Sequence, residues 1–61
     1  MKRCFVQTFY GYDFSRLDDD VNDFLMKISP EDLVDIKYTS FVSPESEYEY
    51  LTATVIYKEA V

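Results

Sequence analysis

From Leu17 onward the apolar residues Val21, Phe24, Leu25 and Ile28 recur at spacings of four, three, one and three, which sets them on one stripe of an α-helix. Asp19, Asp20, Asp23 and Lys27 fall on the other faces, and Asp23 with Lys27 makes an acid-before-base pair one turn apart. Ser15 followed by Asp18 resembles a capping box with Asp in place of the usual Glu, so the helix is expected to start there. Asp18, Asp19 and Asp20 are then expected in its first turn, where the positive end of the helix dipole favours carboxylates. Pro30 disfavours helical geometry at Ser29, which ends the helix near Ile28 or Ser29.

Three other segments read as strands. Lys2 to Tyr10 is rich in β-branched and aromatic types, with Cys4 and Val6 on one side and Phe5 and Phe9 on the other, so both of its faces are expected to be covered. Gly11 breaks the pattern, and Tyr12, Asp13 and Phe14 form a short loop. After a loop around Pro30, Glu31 and Asp32, the segment LVDIKYTSFVS alternates, with Val34, Ile36, Tyr38, Ser40 and Val42 opposite Leu33, Asp35, Lys37, Thr39 and Phe41. Ser43 to Glu47, with Pro44 among polar neighbours, reads as a hairpin connection. The last strand, about Tyr48 to Glu59, sets Leu51, Ala53, Val55 and Tyr57 against Tyr48, Tyr50, Thr52, Thr54 and Ile56.

The order strand, helix, strand, strand predicts one α+β domain over residues 1–61, a three-stranded sheet with one helix packed on one face. The last strand is expected at the centre, antiparallel to both others. One helix covers one sheet face. If Val34 and Ile36 join Leu51, Ala53 and Val55 beneath it, the other face carries Phe41, Tyr48, Tyr50, Thr52 and Ile56 as candidate interface residues, together with Thr39 and Thr54. An apolar patch of several hundred Å² on so small a body marks an interface.

Size sharpens that expectation. A chain of 61 residues buries only about 60% of the surface its unfolded form exposes, and its single Cys and lack of His leave no intrachain disulfide and no ordinary zinc site to help. Self-association, as a dimer or larger, is the remaining common source of stability. No apolar run approaches the roughly 20 residues that span a bilayer, and the start lacks the apolar core of a signal peptide, so a cytoplasmic protein without a membrane partner is expected.

The inventory of reactive groups disfavours catalysis. The single Gly excludes a phosphate-cradling Gly-rich loop, Cys4 has no neighbouring base, and the Asp run at 18 to 20 is expected to be solvated, where nothing raises its pKa. That run also lacks the alternating ligands, central Gly and closing Glu of an EF-hand. No enzyme, cofactor or metal site is expected.

Several stretches, namely FYGYDF, LDDDVNDFLMKI and above all VDIKYTS and ATVIYKE, resemble the family of short sporulation proteins of Firmicutes and their phage relatives. The resemblance implies a compact strand, helix, strand, strand domain and brings no active site with it. By analogy, compact domains carried by phages often inhibit host systems.

Two binding functions follow as expectations. The first sixteen residues hold three of the six basic side chains and one of the twelve acids. Lys2, Arg3 and Arg16, with Tyr10 and Tyr12 for stacking and Thr39 and Ser40 for polar contacts, are the candidate residues for sequestering a nucleotide-like signal at subunit junctions, as an inhibitor of host defence would. Alternatively, a net charge of −6, with Glu45, Glu47 and Glu49 near the hairpin, imitates a phosphate backbone and occupies a basic groove of a host protein. A structural or regulatory protein-interaction module is the third possibility. Direct nucleic-acid binding is disfavoured by the same charge.

Overall fold

The computed structural model describes residues 1–45 and 47–61. β-branched and aromatic residues draw Lys2–Gly11 into strand β1, Leu33–Val42 into β2 and Glu49–Ala60 into β3. The strand order is β1-β3-β2, with β3 antiparallel to both neighbours, as the sequence predicts. Helix α1, Phe14–Leu25, and a single 3₁₀ turn, Pro30–Asp32, bridge the two outer strands. Part of the expected hairpin connection, Ser46, lies outside the described residues. No helix of the described residues is long and apolar enough to cross a membrane.

Both helix ends differ from the sequence expectation. Asp13, not Ser15, is the N-cap: its backbone is extended, its Oδ1 accepts from the Ser15 amide at 3.0 Å, and its carbonyl accepts from the Leu17 amide at 3.0 Å. Asp is as good a cap as Ser, and starting two residues earlier moves Asp18, Asp19 and Asp20 out of the first turn. There Asp18 has a different partner, since its Oδ1 accepts from the Tyr38 hydroxyl at 2.9 Å. The helix also closes early, at Leu25. Lys27 and Ile28 donate to Phe24 and Leu25, a tightening to three-residue spacing, and Ser29 is extended ahead of Pro30 as that ring requires.

The core lies where α1 crosses β3. Leu17 and Val21 of the helix and Leu51, Ala53 and Val55 of the central strand are fully buried, with Phe9, Phe24, Leu25, Leu33, Ile36 and Tyr57 packed around them. Rings run across its far side: Phe9 meets Phe24 at 5.8 Å, Phe24 meets Tyr57 at 5.1 Å and Tyr57 meets Phe5 at 6.0 Å.

One strand departs from simple alternation. Leu33 pairs with Tyr57 and Asp35 pairs with Ile56, so Val34 is an extra residue in β2. Such a bulge shifts side chains by one position, which places both Leu33 and Ile36 on the helix side and leaves Val34 half exposed, at 51%. The expectation that Val34 joins the core is therefore corrected.

Candidate functional site

Antiparallel pairing places directly opposed residues on the same face of a sheet, so the register defines the face that α1 leaves uncovered. Row by row it reads Tyr10, Thr52, Thr39; then Thr8, Thr54, Lys37; then Val6, Ile56, Asp35; then Cys4 and Lys58. At the other end Tyr50 pairs with Phe41, their rings stacked at 5.1 Å. Tyr12, just beyond β1, extends this cluster toward Tyr50 at 5.1 Å and Tyr48 at 6.2 Å. A hydrogen bond with the Tyr50 hydroxyl, reinforced by that neighbour's charge, holds the Tyr12 phenol above its usual range.

The middle of the face is a hydroxyl ladder. Thr8 and Thr54 share a hydrogen bond at 3.2 Å, and Thr39 and Thr52 share another. Paired this way, each of these four hydroxyls has a partner within the face. All five candidate interface residues, Phe41, Tyr48, Tyr50, Thr52 and Ile56, are gathered on this face or at its aromatic end. Cys4 and Val6 lie here too, both exposed, so within one chain this face of β1 is uncovered.

The candidate ligand residues divide. Tyr10, Tyr12 and Arg16 line one cavity of about 340 Å³ where β1 turns into α1. Asp13 and Asp20 line it as well, so its carboxylates outnumber its single cation and the setting is poor for a polyphosphate. Lys2 and Arg3 stand at the opposite end of β1, with Lys2 about 26 Å from Tyr10 along an extended strand. The Lys2 ammonium is already engaged, donating to Asp32 at 2.6 Å, and that bond holds its pKa above the usual lysine value. Within one chain, then, Lys2 and Arg3 do not join the tyrosine cavity. Thr39 belongs to the uncovered face, whereas Ser40 pairs with Leu51 on the helix side.

Sequence reasoning missed Val6, Thr8 and Tyr10 as members of the uncovered face. The signal was present in the alternation of β1, but only the register against β3 shows which set faces away from the helix. Among the described residues no three His, Cys, Asp or Glu side chains gather to hold a metal ion.

No curated protein and no solved structure matches this chain. The family model described as sporulation protein Cse60 does match, over residues 6–59. That span takes in the helix, the 3₁₀ turn, β2, the second half of β1 and nearly all of β3, with VDIKYTS in β2 and ATVIYKE in β3; the chain belongs to the Cse60 family of sporulation proteins.

Proposed function

We propose that this sporulation-family protein is a non-enzymatic docking module whose working surface is the helix-free face of its sheet. The observation that carries the reading is the cluster of Tyr12, Tyr48, Tyr50 and Phe41, joined by ring contacts at one end of an uncharged hydroxyl ladder. Tyrosines supply large, stiff contact area with a hydroxyl for orientation, which is why they concentrate where proteins meet. The remaining charges of the face sit at its margins: Lys37 and Asp35 on an outer strand, Lys58 and Lys2 at the end away from the rings. A charge-poor centre with a polar rim is the anatomy of a protein interface.

The cavity at Tyr10 and Tyr12 ranks below this face as a working site. Sequestration of a nucleotide-like signal needs more positive charge than Arg16 supplies beside Asp13 and Asp20.

The test is photo-crosslinking in cells that express the chain, with benzoylphenylalanine at Thr54 on the open face or at Asp23 on the exposed side of the helix. The docking reading expects an adduct of discrete mass from position 54 and none from position 23. Equal labelling from both positions, or none from position 54, overturns it.

A further inference from the structure

The surface of this chain is too large for a molecule that stays alone. Its accessible area is 4877 Å², whereas a folded monomer of its 7.2 kDa mass is expected to expose about 4,100 Å². The excess is roughly 750 Å², close to the ~800 Å² that each partner buries in an interface of standard size. Shape says the same. The radius of gyration is 13.4 Å, against about 10.5 Å for a compact domain of this length, and the backbone extends 44 × 19 × 14 Å. A twelve-residue helix covers about 18 Å of strands that run about 40 Å, on one side only.

From these quantities we infer that the occupant of the helix-free face is a second copy of this chain, in an isologous pair whose sheets pack face to face with the two β3 strands crossing at the centre. The inference rests on the docking reading above and names its partner. Three observations select a second copy. The area in excess is the area such a pair needs. The fully buried core of five residues, without a disulfide, leaves the fold short of burial that a symmetric partner supplies. The two ends of the face also differ: rings occupy one, and Val6, Ile56 and Cys4, edged by Asp35 and Lys58, the other, so a twofold axis across the strands sets the rings of each copy over the ring-free end of its partner.

Electrostatics permits this despite the charge of −6 on each chain. Asp35 is the single acid among the registered positions of the face, beside Lys2, Lys37 and Lys58. The other acids lie on the helix, the turns and the strand ends, away from the contact.

Light scattering on the intact chain tests the inference at about 100 µM, above the micromolar dissociation constants at the weak end for interfaces of this area. The expected mass is about twice 7.2 kDa. Thr54→Asp and Thr54→Lys, both near the proposed axis, should each reduce the mass to that of one chain, or fail to fold, and an equimolar mixture should restore the doubled mass by pairing opposite charges. A wild-type mass of one chain overturns the inference, as does a doubled mass that neither substitution alters. If the wild type is a monomer while position 54 still gives an adduct of another mass in cells, the docking reading stands and the second copy as its occupant falls.

Discussion

Replacing Leu33 with alanine should destabilise the fold several times more than replacing its neighbour Val34. The bulge in β2 turns Leu33 inward, packed against the core cluster, and turns Val34 outward with 51% of its surface exposed. A fully buried Leu→Ala change costs about 2–5 kcal/mol. Leu33 is partly buried, so roughly 1–2 kcal/mol is expected, whereas an exposed truncation at Val34 stays within about 0.5 kcal/mol. At about 0.05–0.15 kcal/mol per residue the whole domain holds roughly 3–9 kcal/mol, so the first change removes a measurable share. In a domain this small, each kcal/mol moves the melting temperature by about 4–8 °C, so Leu33→Ala should melt roughly 5–15 °C below the wild type and Val34→Ala within about 4 °C of it. The assay is thermal and urea denaturation followed by far-UV circular dichroism at one fixed protein concentration, because the proposed self-association would make stability concentration-dependent. Unbroken alternation through β2 demands the reverse ranking. A loss at Val34 equal to or larger than the loss at Leu33 would refute the bulge.

The helix start offers a similar comparison: Asp13→Ala should cost about 1 kcal/mol through loss of the cap to the Ser15 amide, while Ser15→Ala leaves the urea midpoint within a few tenths of a molar, and equal effects would return the cap to Ser15. Alkaline pH should weaken the fold, because Lys2, Tyr12 and Tyr38 all have raised pKa values, through hydrogen bonds to Asp32, Tyr50 and Asp18 respectively. A raised folded pKa contributes stability that is complete below the unfolded value, near 10.5 for Lys2 and 10.0 for the tyrosines, and is lost as pH rises through the folded one. Solvent screening keeps each contribution small. Urea midpoints should be flat from pH 7 to 9 with respect to these groups and fall above about pH 10, and Tyr38→Phe should reduce that fall; an unchanged slope in Tyr38→Phe would remove Tyr38 from the account.

How much of this was legible beforehand depended on whether a signal was local. The stripe from Leu17 to Leu25 and the alternation of β3 are repeats within one element, and both appear in the structure where the pattern sets them. The helix ends were less legible because Asp13 and Ser15 are both good caps, and no local signal chooses between them. The bulge left no mark at all: Val34 and Leu33 are both apolar, and only Tyr57 and Ile56, more than twenty residues on, decide which one turns inward. The separation of the candidate ligand residues within one chain has a related cause. Lys2 and Tyr10 are near in sequence, but a strand is the most extended way to join them.

The partition of charge between the two faces bears on the proposed pairing. A chain at −6 associates with itself only if its acids stay out of the contact, and here the element that covers one face also carries many of them. Asp19, Asp20 and Asp23 lie exposed on α1, while the sheet face opposite keeps Asp35 alone. In a face-to-face pair the two helices become the outer layers, so the acidic surface is displayed twice, on opposite sides, with the rings and threonines enclosed between. Burying the aromatic face therefore leaves the acidic face free. Raising the ionic strength should leave such a pair intact, or tighten it slightly by screening the repulsion between two anionic bodies, whereas a contact made through the helix carboxylates and a basic partner would loosen. Salt dependence thus distinguishes which face of the sheet-and-helix layer is engaged, and it does so without knowledge of the partner.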